Sequence, residues 1–461
     1  MTDVALPELL PIPRAKSWPV VGALPYLPKD PLGFCLKAAL DGEGLVRLDV
    51  GPMKVYVVSH PDYMRHILVT NAGNYNKGSI MDGIRVALGN GLFTSDGELW
   101  RRQRRLMQPA FHQRHIAHMG ETIAEELAGA IQRWAPAIDS GTPIDILEES
   151  IQLNIRITLR TLFGATTDSS EAARLRRTTD AVFQGMARRV WRFFVPSWLP
   201  TPGGTKYRQT IRALDEHIYD IIASRRANLE QHDDLLNVLL AARDDETLES
   251  MSDQQIRDEI FTFFLAGYES TASTIAWTCY LLSINPAVGR ALRAELDATL
   301  GDRAPVYADL PGLALTRMVI KEALRLYPAF PMYFRTAIGA DAIGPYSLPA
   351  GASIVLNAYA MHHDPRYWTD PEMFDPDRFS AERFGADERN AYYPFGRGQR
   401  MCIGESMALI TAQMAVATIV QNFETQVPAG SVVLGHYAMT YTPKNGLPLT
   451  FRSRARGVID G

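Results

Sequence analysis

The chain has 461 residues, 46% of them hydrophobic, and a formal net charge of −4. That is enough apolar material for a large core, and the near balance of charge excludes recognition of nucleic acid or an anionic membrane by overall charge. Its three cysteines, Cys35, Cys279 and Cys402, lie far apart in unlike settings, which excludes a disulfide scaffold and suits a reducing compartment.

The segment from Met1 to Pro31 is proline-rich and carries acidic residues near its start. It has neither a basic-then-apolar leader nor a run of about twenty apolar residues, and no later segment reads as a membrane span. A soluble, cytoplasmic protein without a transmembrane anchor is expected. Next in the chain, Gly44–Val50 and Lys54–Ser59 read as a hairpin around Gly51-Pro52.

From Arg101 to Leu326 the pattern is mostly helical. Arg101, Arg102, Arg104 and Arg105 form a basic cluster, either a solvated helix face or a docking patch for an acidic electron carrier. Arg188–Pro196 mixes arginines with aromatics and fits a lid, a membrane-touching segment or an amphipathic packed helix. Asp234–Arg243 reads as a short helix followed by an acidic loop. Ser252 and Gln255 then fit a capping box, and the helix they open runs to about Ile284, where Asn285-Pro286 stops it. At roughly thirty residues it is long for a globular protein, and its apolar character on nearly all sides from Ile260 to Leu282 predicts a path through the core.

Inside that helix lies Ala266-Gly267-Tyr268-Glu269-Ser270-Thr271. A helical glycine costs about 1 kcal/mol relative to alanine and asks for a reason. One is close helix packing. The other is a groove between Ala266 and Ser270, one turn apart, with the Ser270 hydroxyl bonding back to the Ala266 carbonyl. Further on, Glu322 and Arg325 share a helix face at i, i+3, as a surface pair or an internal one.

Arg335–Ile338, Tyr346–Leu348 and Ala352–Leu356 read as strands separated by turns at Gly339, Gly344 and Pro349–Gly351. Ile403–Phe423 reads as a helix with Met407, Ile410, Met414 and Ala417 on one face, and residues 432–451 return to strands and turns. Just before that helix, Cys402 sits in a glycine-rich loop. Its place at a helix N-terminus favours thiolate over thiol, although a buried free cysteine after a glycine turn is the plainer alternative. The fold class is mainly α with a small β portion.

Phe395, Gly398, Arg400, Cys402 and Gly404 complete the pattern Phe-x-x-Gly-x-Arg-x-Cys-x-Gly, in which the chain resembles the cytochromes P450. The resemblance extends to five motifs in order and covers nearly the whole chain. It implies one catalytic domain over residues 1–461, with haem b between the long helix and the cysteine loop and Cys402 as axial thiolate. A thiolate in that position favours O–O cleavage. The cofactor-binding set it implies is Trp100, Arg104, Ala266, Arg335, Phe395, Gly396, Arg400, Cys402 and Gly404, with the arginines as partners of the propionates. Glu269 takes the place of the oxygen-activation acid. Ser270 stands where the family usually has threonine, and Thr271 is a less favoured substitute. Glu322, Arg325 and Arg378, the last in Phe374–Phe379, correspond to a buried structural network.

The implied pocket residues are Ile80, Met81, Ile84, Phe263, Ala266, Ala329, Phe330, Met332 and Met439, mainly apolar, with Arg85 the one charge that could meet a substrate carboxylate rather than solvent. A hydrophobic small molecule is expected, a terpenoid first, then a fatty acid or polyketide. With no flavin- or iron–sulfur-binding extension, electrons are expected from a ferredoxin or flavodoxin with its NAD(P)H reductase, and the protein is expected to be a monomer. Ser270 keeps a haem-thiolate peroxygenase or isomerase open as an alternative, and a non-catalytic haem-binding protein is the other.

Overall fold

The computed structural model describes residues 9–18, 21–27, 29–111, 113–164, 169–190, 204–227, 234–244 and 248–454. Their contacts fall into two compact units. The first comprises Met1–Ile80, Phe330–Met373 and Ala381–Cys402; the second Met81–Ala329, Phe374–Ser380 and Ile403–Gly461.

The first unit is built on a five-stranded sheet, in the order Leu45–Val50, Met53–Val58, Ser353–Asn357, Met332–Ala337, Tyr75–Asn76. The first two strands form the expected hairpin, with Leu45 opposite Val58, and Gly51 supplies the left-handed turn at φ 58°. A second, three-stranded sheet places Tyr346–Leu348 between Leu10–Pro11 and Asp341–Ile343. The helix Pro31–Asp41 begins where the Asp30 carboxylate accepts the amide of Gly33, with proline at its first position.

The second unit is helical. Its centre is Asp253–Ile284, the long helix anticipated from the apolar pattern. Ser252 Oγ accepts the amide of Gln255 at 3.2 Å, fixing the start, and Asn285-Pro286 ends it. It packs most extensively against Ile146–Phe163, and Ile256, Ile260, Leu265, Ala272, Ile275 and Trp277 are buried along it.

The helix after the cysteine loop spans Glu405–Asn422, two residues later at its start than the apolar run suggests, because Gly404 is its N-cap. The expected single apolar face is also corrected: every residue from Ile410 to Gln421 is buried, so packing surrounds this helix on all sides. Phe423 leaves it in extended conformation and opens a strand, Phe423–Gln426, paired with Pro448–Ser453.

At the start of the long helix two adjacent carboxylates hold the loop after helix Asp82–Leu88. Asp258 Oδ2 accepts the amide of Asn90 at 2.8 Å, and Glu259 Oε2 accepts that of Leu92 at 2.9 Å. Glu259 is fully buried and its Oε1 has no hydrogen-bond partner. Burial pushes its pKa from 4.5 up to about 8; the Leu92 amide opposes the shift and the Asp258 charge adds to it. The folded state therefore keeps a proton that the unfolded chain loses, and stability falls as pH rises from 4.5 to about 8. Glu259→Gln keeps the acceptor and removes the titration. Thermal unfolding should show wild type and variant alike near about pH 5, with the variant more stable by a few kcal/mol at about pH 8.5. A gap independent of pH would refute the assignment.

Candidate active site

In the first unit, the cysteine loop is shaped by left-handed glycines: Gly396 at φ 74° and Gly398 at φ 73°. Gly398 is also sterically required, since a Cβ there would collide with the carbonyl of Leu68 in the π-helical turn His66–Thr70. That turn is pinned at both ends by Asp341, whose Oδ2 accepts from His66 Nε2 and Asn71 Nδ2, each at 2.9 Å. The Cys402 amide donates to Phe395 O at 3.0 Å and closes the loop, leaving the residue exposed. Arg400 is half-buried in the same loop. Arg335, on strand Met332–Ala337, is half-buried and donates from Nη1 to Phe334 O at 2.7 Å.

In the second unit, the middle of the long helix carries a stripe of less buried residues. Phe263, Gly267 and Ser270 are half-buried and Ala266 is exposed, at the spacing of one helical face. Ser270 Oγ donates to Ala266 O at 2.6 Å. A Cβ on Gly267 would meet only Thr158 Oγ1 at 3.7 Å, so close helix packing does not explain the glycine. Thr271 is buried, away from the open stripe. Glu269 Oε2 accepts from Thr440 Oγ1 at 2.5 Å, a partner the sequence pattern gives no signal for.

The charge network is internal. Arg325 grips Glu322 with two hydrogen bonds, Nε to Oε2 at 2.7 Å and Nη2 to Oε1 at 2.8 Å. Arg378 Nε donates to Oε1 at 3.3 Å and the Asp375 amide at 3.0 Å. All three side chains are buried, which decides against a surface pair for Glu322 and Arg325.

On helix Gly97–Met107, Trp100 is buried and Arg104 half-buried, its Nε donating to Gln108 Oε1 at 3.0 Å. The basic cluster around it is not a free positive patch. Arg105 pairs with the fully buried Asp244 at 2.8 Å, Arg102 lies 3.7 Å from the same carboxylate, and Arg101 pairs with Glu98 at 2.8 Å. These acids, distant or one turn away, cancel much of the field that would steer an acidic partner. Arg85 is likewise engaged, with Asp82 Oδ1 at 2.5 Å and Thr94 O at 2.9 Å, while its side chain stays partly open to solvent.

Of the pocket residues in the second unit, Met81, Ile84 and Ala329 are buried and Met439 is half-buried. Phe263 rests on Ala110, Leu162 and Leu235 and lies 5.5 Å from the Phe111 ring. In the first unit Met332 is buried, and Ile80 and Phe330 are half-buried. Arg189 lies over the Tyr207 ring at 5.2 Å, while the rest of the arginine–aromatic stretch, residues 191–196, lies outside the described residues. Among the described residues no helix is long and apolar enough to cross a membrane.

The donor set suits a thiolate-ligated haem. Cys35 and Cys279 are buried, and burial, aided at Cys35 by the Asp30 charge, pushes both up to about 12, so they stay thiols. Cys402 alone of the three is exposed. The long helix offers a strip of small side chains at Ala266 and Gly267, where a flat group can approach.

The Cytochrome P450 family profile matches residues 12–444. The chain belongs to the cytochrome P450 family. Cyclooctat-9-en-7-ol 5-monooxygenase of Streptomyces melanosporofaciens is 36% identical to this P450 over 90% of each chain. Pentalenene oxygenase of Streptomyces avermitilis is 34% identical over 95% of this chain and 96% of its own. Among solved structures, the haem domain of cytochrome P450DA superposes with a TM-score of 0.87 at 29% identity, covering 97% of this chain and 98% of that one. The fold is therefore that of a P450, mainly α with a smaller β portion, and the protein is a P450 monooxygenase.

Proposed function

We propose that this P450 inserts one oxygen atom into a terpenoid, with Cys402 as the axial thiolate of haem b. The observation that carries the substrate class is its likeness, over at least nine-tenths of the chain, to a cyclooctat-9-en-7-ol monooxygenase and a pentalenene oxygenase. Ile80, Phe330 and Met332 in the first unit, and Met81, Ile84, Phe263, Ala266, Ala329 and Met439 in the second, are apolar, which agrees with such a substrate. Fatty acids and polyketides are the outcomes against which it is tested.

When bound, the haem supplies dioxygen activation, with electrons delivered by a ferredoxin or flavodoxin and its reductase. The chain's own part is to hold the group and move protons. Arg104 and Trp100 in the second unit, and Arg335 and Arg400 in the first, would serve the haem's propionates, the arginine fork matching a carboxylate. Ser270 carries the proton at Oγ: bonded to Ala266 O, its hydroxyl is oriented and its oxygen lone pairs can accept. Glu269 is the acid that resupplies it, and Thr440 sets the direction of its carboxylate.

Ser270→Ala should therefore lower product formed per electron consumed and slow product formation by about 100-fold or more, the rate contribution of a positioned proton donor, while Thr271→Ala leaves both near wild type. Uncoupling by the Thr271 change alone would assign the relay to the buried hydroxyl. For the substrate, the purified enzyme with ferredoxin, reductase and NAD(P)H is offered cyclic terpenes and terpene alcohols alongside fatty acids. A terpene product heavier by one oxygen, labelled from ¹⁸O₂, is expected. Turnover with peroxide alone would point to a peroxygenase instead.

A further inference from the structure

The peptide unit between Phe395 and Gly396 is held from both ends. Its carbonyl, Phe395 O, accepts the amide of Cys402 at 3.0 Å. Its N–H, that of Gly396, donates to the hydroxyl of Tyr333 at 3.1 Å and also to Tyr393 O at 3.2 Å. The same Tyr333 hydroxyl donates to Tyr393 O at 2.7 Å. The Tyr393 amide in turn donates to Nε2 of the buried His362 at 3.0 Å, so that nitrogen carries no proton there. A single planar peptide thus connects the Tyr333 oxygen to the backbone of Cys402. Gly396 sits at φ 74° with no side chain to steady that plane, so its orientation is set by its hydrogen bonds. Accepting the N–H also polarises the peptide and strengthens its carbonyl as the acceptor for Cys402.

We propose that Tyr333 is a positioning residue for the Cys402 loop, fixing the plane of the 395–396 peptide and through it the backbone of the thiolate ligand. The inference rests on the reading of Cys402 as that ligand. Tyr333 is half-buried on strand Met332–Ala337, where Phe334 pairs with Val355 and Tyr333 with Leu356, so Tyr333→Phe keeps ring, strand and register and removes one oxygen. It is not among the motif residues that carry the family resemblance.

The test uses holoenzyme. Wild type and Tyr333→Phe are reduced under carbon monoxide, and the red-shifted Soret band of thiolate-ligated haem is followed well below the unfolding temperature, alongside global unfolding by circular dichroism. Loss of a hydrogen bond of ordinary strength predicts band decay about five- to tenfold faster in the variant. Hydrogen exchange read on peptides should quicken over residues 393–402 and stay at wild-type rates over Glu405–Asn422. A band that decays at the wild-type rate overturns the inference. So does decay that merely tracks global unfolding, or exchange raised equally throughout, since either makes Tyr333 an ordinary packing residue. A wild-type protein lacking the band removes the ligand reading itself, and the inference with it; a normal wild type with an indifferent variant removes only the inference. Should Tyr333→Phe not accumulate, His362→Gln, which alters the other support of Tyr393, is carried through the same two measurements with the same expected outcomes.

Discussion

Glu322→Gln is expected to leave a protein that accumulates poorly and retains little haem. The Glu322 carboxylate takes two hydrogen bonds from Arg325, one from Arg378 and one from the Asp375 amide, all inside the core. The amide keeps the shape and one acceptor oxygen but removes the charge. Two buried guanidinium groups then lose this carboxylate charge, and breaking a buried pair typically costs about 3–5 kcal/mol, against a total stability of about 5–15 kcal/mol. Denaturant unfolding should show the midpoint fall with little change in slope, and the ratio of haem to protein absorbance should drop. A variant of wild-type stability would mean that water or a rearranged acid serves Arg325, and the network would lose its structural role. Arg325→Lys is a useful companion: it keeps the charge but loses the planar fork, so a smaller but clear loss is expected.

Cys402→Ser should do the opposite, sparing the fold and ending the chemistry. Cys402 is exposed, and the backbone bond that positions it, from its amide to Phe395 O, does not involve sulfur. Circular dichroism and the unfolding midpoint should stay near wild type. The red-shifted band of the ferrous carbon monoxide complex should vanish, because a hydroxyl remains protonated where a thiol ionises and is a harder, weaker donor to iron. Monooxygenase turnover should fall below detection. If the band survives, another residue ligates the iron; Cys35 and Cys279, buried and held as thiols, are poor candidates. The two variants separate two jobs that lie 80 residues apart in the chain, at Glu322 and Cys402.

The charge cluster at residues 101–105 shows where a local reading stops. Four arginines in five positions suggest a positive surface. Yet Asp244, which lies beside Arg102 and Arg105, is 139 residues from Arg105 in the acidic loop, and no local pattern there names its partners. Arg85 and its bond to Thr94 O follow the same rule.

What the sequence determined by itself are features whose cause lies within a few residues. The cap at Ser252 and the stop at Asn285-Pro286 bound the long helix through local hydrogen bonds and sterics. Glu322 and Arg325 meet because a helix puts i and i+3 together. The glycines of the cysteine loop are legible because few other residues take their backbone angles. Only the tertiary structure decided which distant groups serve these local features. Thr440 on Glu269, Leu92 on Glu259 and Tyr333 on Gly396 are separated by 171, 167 and 63 residues. A hydroxyl or amide in a loop or strand carries no periodicity that names its partner. Its place is set by how helices and sheets pack, and the need to satisfy buried polar groups then selects the pair.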